Sequence, residues 1–366
     1  MNAPLDNKTD TPSESAFGWY LTSSSLWVCG MSLQGFLISW MLVDILEAPA
    51  DQAGFARSLI DLPGIFMVLL GGIIADRVNA RTMLLSMHTL MALPAFMVGL
   101  LYWQFGLNLW GVIAFGVVSS IFMFLSDPAR QAILSRVTQA DMQRAVARMT
   151  VVTSVVGLAG VWLGGRLEEI GLAQMLFLQS LIFLISAVAV IRLPDLPIES
   201  GKRGILEGVK ALWNMPLLLS VIGLNFISSL FNAGAYIIGM PYIVNRVYEG
   251  DAAMFSAVMM IFTIGSISSN IVLLKFMPLL RPGRLFLMMQ LTRMLILLVL
   301  WTQPPIWLFF AAILAWGLNM GTTTTMVRAI VQTTERVKIF TNPPVLYIGS
   351  YRLFVTFQAI RVYSKS

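Results

Sequence analysis

The chain has 366 residues, 57% of them hydrophobic and only 11% charged, with a formal net charge of +6. Soluble domains carry about one quarter charged residues, so this composition excludes a soluble domain and points to lipid as the solvent. The basic excess does not imply nucleic acid: membrane proteins sort basic residues to cytoplasmic loops, and no aromatic-interleaved basic patch is present.

Residues 1–25 are polar and mixed in charge, and read as a cytoplasmic tail rather than a cleaved signal peptide. Apolar runs of about twenty residues, enough to cross about 30 Å of hydrocarbon, then recur at short intervals. They predict helices at about 26–46, 57–75, 82–103, 108–126, 149–165, 172–191, 216–244, 252–274, 285–302 and 305–327. Six of these make a first bundle over 26–191. Residues 192–215, with "RLPDLPIESGKRG", read as a cytoplasmic linker rich in proline, glycine and charge. Four more helices make an incomplete second bundle over 216–335, and 336–366 form an atypical tail. The expected fold class is therefore an all-α integral membrane protein of two bundles, with about ten transmembrane helices.

Charge sorts the loops. With a cytoplasmic N-terminus, the inside loops hold Arg77, Arg81, Arg130, Arg136, Arg144, Arg148, Arg192, Lys202, Arg203, Lys210, Lys275, Arg281, Arg284, Arg328, Arg336 and Lys338. The outside ends hold Arg57, Arg166 and Arg246. That bias predicts the orientation.

Cys29 is the only cysteine, which rules out an internal disulfide, and His88 is the only histidine, which rules out histidine-pair metal sites. His88 falls in an apolar helix, as a hydrogen-bonded structural imidazole or a proton relay. No metal site and no cofactor is expected. The absence of a phosphate-cradling loop argues against ATP hydrolysis by this chain.

The loop after the second helix reads "GGIIADRVNAR", residues 71–81. Paired glycines let a neighbouring helix approach, Asp76 can face the positive end of a helix, and Arg77 and Arg81 can meet carboxylates or lipid phosphate. At the end of the fourth helix stands "SDPARQAILSRV", residues 126–137. Pro128 is expected to end that helix, with Asp127 capping the next segment and Arg130 opening a basic amphipathic surface stretch. The fifth helix carries Gly157, Gly160, Gly164 and Gly165, spaced for backbone-to-backbone packing.

These stretches carry a family resemblance. Gly72, Asp76, Arg77 and Arg81 resemble the signature loop of the major facilitator superfamily, with Asn79 where the family prefers glycine and Ala80 where it prefers a basic residue. "SDPARQAILSRV", "LPGIFMVLLGGIIADR" and "EGVKALWNMPLL" are similar to the branch that includes the enterobactin exporter and related bacterial efflux proteins. The resemblance covers residues 20 to about 335. It implies two six-helix halves, so this chain shows ten of the usual twelve helices. It also implies a loop that latches the halves together. Family antiporters have a glycine–proline pair in the fifth helix, where Val161 stands here. The mid-helix arginine of many drug–proton antiporters is missing from "LWGVIAFGVVSSIFMFL".

Intramembrane polar groups are costly, so they are candidates for a cavity or for coupling. Arg293 lies midway along the ninth helix, as a cavity or ion-pair residue or a structural partner of buried carbonyls. Asp61, Asp44 and Glu47 lie near outer helix ends, where they line an entrance or couple to protons. Gln34, Asn225, Asn232, Tyr236 and Gln290 are helix–helix hydrogen-bond partners or ligand contacts. The 23 methionines, Met259, Met260, Met288 and Met289 among them, suit adaptable packing or varied apolar ligands.

The expectation is a monomeric permease of the bacterial inner membrane, no enzyme, exporting a small amphipathic molecule such as a siderophore or drug by ion-driven alternating access. Protons are the expected coupling partner and the lipid bilayer the medium. A membrane enzyme would need clustered His, Asp or Glu at one face, which one histidine disfavours. A transport-impaired remnant and a lysolipid-type permease stand as the other readings. The tail sharpens the remnant reading. Its best apolar run, Val345 to Ile360, is short for a span and broken by Arg352. Three of the eight tyrosines fall there, and none of the methionines. A shift of reading frame near Val337 is one explanation, and a divergent, shorter C-terminus is the other.

Overall fold

The structure is a computed structural model that describes residues 14–75, 78–137, 142–193, 195, 223–228, 231–232, 234–275 and 282–341. Among these the chain is almost entirely helical, and its helices fall in the regions expected, the seventh described only in part. We number them α1 (Glu14–Trp40, continued by a π-helical turn Met41–Ile45), α2 (Ala50–Ala75), α3 (Ala80–Phe105), α4 (Leu109–Val137) and α5 (Met142–Gly164). A single turn, Leu167–Ile170, leads into α6 (Leu172–Ile191). α7 comprises residues 223–228 and 231–232, a π-helical stretch Gly234–Gly239, the turn Met240–Tyr242 and a second π-helical stretch Ile243–Val247. α8 (Ala252–Leu274), α9 (Pro282–Trp301) and α10 (Ile306–Thr341) complete it. Among the described residues, seven helices are long and apolar enough to cross a membrane, namely α1, α3, α4, α6, α8, α9 and α10.

Two expectations from the sequence need correction. The polar tail does not run to residue 25: α1 begins at Glu14, and Ala16, Tyr20, Ser23 and Ser24 are buried. Serines satisfy their hydroxyls inside helices and against neighbours, so a serine-rich turn can still be a buried helix. Nor does Pro128 end α4, which continues to Val137. Proline deletes one backbone hydrogen bond, a cost that neighbouring helices and hydroxyl side chains absorb within a bundle. Ser126 donates to the carbonyl of Met123 at 2.8 Å one turn upstream. The linker from residue 196 and the tail from residue 342 lie outside the described residues.

α1 is apolar or small on every side, the pattern of a helix enclosed by others. It packs on α5, α6 and α4, while α2 pairs with α4 and α3 with both α4 and α6. In the second bundle α8 pairs with α10, and α9 with α10. That repeats α2 with α4 and α3 with α4.

The repeat is sharpest at one corner. α1 ends in the π turn Met41–Ile45, then Glu47 at φ 46°, then α2 from Ala50. α7 ends in the π turn Ile243–Val247, then Glu249 at φ 49°, then α8 from Ala252. Matching backbone bonds close each corner: Leu46 to Met41 and Ala48 to Leu42 in the first, Tyr248 to Ile243 and Gly250 to Val244 in the second. Two non-glycine residues held in the left-handed region at equivalent places mark a geometry shared by the two repeats, since each carries a conformational cost.

Candidate functional site: the seam between the bundles

The two repeated corners face each other and join the bundles. Asn245 Nδ2 donates to Asp44 Oδ1 at 2.8 Å, and the Tyr242 hydroxyl donates to the carbonyl of Ala48. Arg246 stands 4.0 Å from Glu47. Beside them the turn before α6 reaches α8: Glu168 accepts the backbone N–H of Ala252 at 3.0 Å, at the N-terminus of that helix. A carboxylate there meets an orphan donor and the positive end of the helix dipole. Asp251 caps the same helix from its own chain end, accepting from Met254 N.

Below this polar rim the seam is aromatic. Phe255 of α8 stacks against Trp40 and Phe36 of α1, with centroids 5.3 and 5.1 Å apart. Ser256 donates to the carbonyl of Val161 at 3.0 Å, and Gly165 lies against the Ser256 side chain. Rings of this size bury a large apolar area and exclude water from the seam. All these contacts sit at the end of α1 opposite its N-terminus.

The glycines of α5 sit on α1. A Cβ at Gly160 would strike the carbonyl oxygen of Cys29, one at Gly157 would meet Val28 and Ser32, and one at Gly164 would meet Phe36. The second bundle uses the same device between α8 and α10. There Gly317 faces the Phe262 carbonyl, Gly321 the Ser266 carbonyl and Gly265 the Leu314 carbonyl. The spacing of Gly317 and Gly321 in "GLNMG" is a sequence signal that could have found this contact.

The other polar candidates fall in separate places. Asp61 is held by Arg57 through two hydrogen bonds of 2.9 and 3.0 Å within α2. Gln34 accepts from Gln179 of α6 at 3.1 Å, inside the first bundle. Asn225 is buried on α7, and Asn232 accepts from the Trp316 indole at 2.7 Å. His88 is buried, stacked on Trp27 at 4.3 Å, with Nδ1 2.8 Å from Ser186 Oγ. Among the described residues Arg293 donates to neutral oxygens, those of Asn319, Thr323 and Ser228.

Of the signature loop, Gly72 lies in the last turns of α2, while Asp76 and Arg77 lie outside the described residues. Asn79, where the family prefers glycine, caps α3 by accepting from Arg81 N and Thr82 N, and donates to Asp195 at 2.9 Å. Arg81 donates to the carbonyl of Ile191 at 2.6 Å, neutralising the C-terminus of α6. Within α4, seven residues before its end, Arg130 is buried beneath Trp27, 4.0 Å from Asp127, and its carbonyl accepts the Tyr20 hydroxyl at 2.9 Å.

Two helical bundles related by an internal repeat, joined among the described residues by a seam of polar and aromatic contacts at one end, define a membrane protein of the two-lobed transporter type. The sequence matches the Major Facilitator Superfamily over residues 20–336, and the chain belongs to that family. A search of curated proteins finds no match to it. Among solved structures it is similar to a point mutant of the nucleoside transporter NupG, at TM-score 0.75 and 14% identity, covering 96% of this chain and 89% of that one. It is also similar to a bacterial homologue of the human lysosomal transporter Spinster, inward-facing and unoccupied, at TM-score 0.71 and 14% identity, covering 96% and 80%. A D-xylose–proton symporter aligns at TM-score 0.64 and 12% identity, covering 96% and 88%. At these identities the likeness is one of fold.

Proposed function

We propose that this chain is a secondary active transporter that exports a small amphipathic molecule, such as a siderophore or drug, by alternating access. The observation that carries the reading is the seam. Its contacts are individually modest, and among the described residues they tie two otherwise self-contained bundles at one end. Such an arrangement is a gate, because breaking it costs far less than unpacking either bundle.

With the N-terminus cytoplasmic, as the charge bias supports, the seam lies at the outer face of a bacterial inner membrane, the side that is closed in an inward-facing state. Gly72, Asp76, Arg77 and Arg81 would then latch the cytoplasmic side in the opposite state. Asp44 is the coupling candidate best placed for the cycle, since it sits in the seam itself. Asp61 is already neutralised by Arg57. Protons are the proposed coupling ion, and the monomer is the proposed working unit.

A second reading keeps the fold but not the activity. The family match ends at residue 336, where the tyrosine-rich, methionine-free tail begins. We therefore propose that residues from about 337 onward are not the family's eleventh helix, and that a chain ending in them transports poorly. Translation of the other forward frames beyond the Glu335 codon tests this: two further apolar spans support it, and none refutes it. Purified protein in liposomes, assayed for substrate-dependent proton flux, decides between the readings. A saturable flux supports the transporter, and its absence with every amphipathic candidate supports the remnant.

A further inference from the structure

The ninth helix carries a cation that the gate does not use. Arg293 is 4% exposed and lies midway along α9. Its Nε and Nη2 donate to Asn319 Oδ1 at 3.0 and 2.9 Å, Nη2 donates to Thr323 Oγ1 at 3.0 Å, and Nη1 donates to Ser228 Oγ at 2.9 Å. A guanidinium has five N–H donors, so among the described residues one on Nη1 has no acceptor. Nor does any carboxylate among them pair with it. Beside it, Gln290 accepts from Ser228 at 2.6 Å while its buried amide nitrogen Nε2 has no partner among the described residues. The shell thus holds one full positive charge and, among the described residues, three unmet N–H donors, one on Arg293 and two on Gln290.

Both residues border a groove of about 320 Å³ between α7 and α9, with Ser228, Asn232, Phe231, Met294, Leu297 and Leu298. That volume falls within the range of small-molecule sites. One part of its wall is cationic and donor-rich, and the remainder is apolar. A buried cation without a counter-charge is costly at membrane depth, which favours an occupant that supplies an anion.

We propose that this groove binds an amphiphilic anion. A carboxylate or phosphate headgroup would accept from Arg293 Nη1 and Gln290 Nε2, with an acyl chain lying along Phe231, Met294, Leu297 and Leu298. The groove belongs to the second bundle and lies apart from the α1–α7 and α5–α8 seam. Binding therefore does not require the chain to transport.

The test uses the full-length protein in phosphatidylcholine nanodiscs and radiolabelled palmitate as probe. Saturable binding is expected, with displacement by hexadecyl phosphate. Hexadecanol, with the chain but no charge, should compete about tenfold less well, and Arg293→Gln should weaken palmitate binding by a similar factor. Arg293→Lys should retain most of the affinity. Inorganic phosphate should not compete; if it competes as well as hexadecyl phosphate, the site reads a free anion and the amphiphile proposal fails. Equal affinity for palmitate and hexadecanol, or undiminished binding to Arg293→Gln, also overturns it. So does wild-type protein that binds no palmitate and instead dimerises through this face. Should Arg293→Gln not fold, Gln290→Leu and the comparison of charged with uncharged ligand on the wild-type protein decide the question in the same way.

Discussion

Replacing Asp44 with alanine is predicted to loosen the seam without unfolding either bundle. The side chain accepts one charge-assisted hydrogen bond, from Asn245 at 2.8 Å. Such bonds contribute about 1.5–3 kcal/mol when buried, and partial solvent exposure reduces this one to about 1 kcal/mol. A loss of that size raises the ratio of seam-open to seam-closed molecules by a factor of about five. Ser39 reports the change: it is buried and borders the seam near Arg57 and Ile238. In a Cys29→Ser background, Ser39→Cys should react with a polar maleimide about five times faster when Asp44→Ala is present, since labelling follows the open fraction. Asn245→Ala alone should give a similar increase. The double substitution should add little to either single, because both remove one interaction. Unchanged labelling, or fully additive effects, would refute the claim that this pair holds the bundles together.

Other consequences are open to direct measurement. Gly160→Ala places a methyl group against the Cys29 carbonyl and should cost about 1–3 kcal/mol, whereas Gly18→Ala, with open space around it, should be neutral or stabilising. Thermal unfolding in detergent that ranks the two the other way contradicts the backbone contact between α1 and α5. Asn79→Ala removes the cap of α3 and should lower stability by about 1 kcal/mol, a thermal shift of a few degrees, while Asn79→Asp should retain the cap. Single cysteines at Lys202 and Asp251, again without Cys29, should be labelled by an impermeant reagent in intact cells only at Asp251; labelling at Lys202 would invert the proposed orientation.

The all-helical fold and the order of the described helices were legible in the chain because a bilayer imposes a simple local rule: about twenty apolar residues in a row, bounded by charge. The small-residue stripe of α5 was legible for the same reason, since its periodicity is local. What polar residues touch was not. Asp61 and Asp44 look alike in sequence, two carboxylates near helix ends, yet one is spent on Arg57 a turn away and the other spans the two bundles. Gln34 meets Gln179, and Arg293 gathers Asn319, Thr323 and Ser228, through helix faces that only packing brings together. Trp40, Phe36 and Phe255 gave no signal, because an aromatic ring on an apolar helix reads the same facing lipid, core or gate. Pro128 misled, since its local cost is absorbed by neighbours that a one-dimensional reading does not contain. The paired corners at Met41–Ala50 and Ile243–Ala252 share geometry with little shared sequence, because backbone conformation there is fixed by the repeated packing of one helix pair on the next.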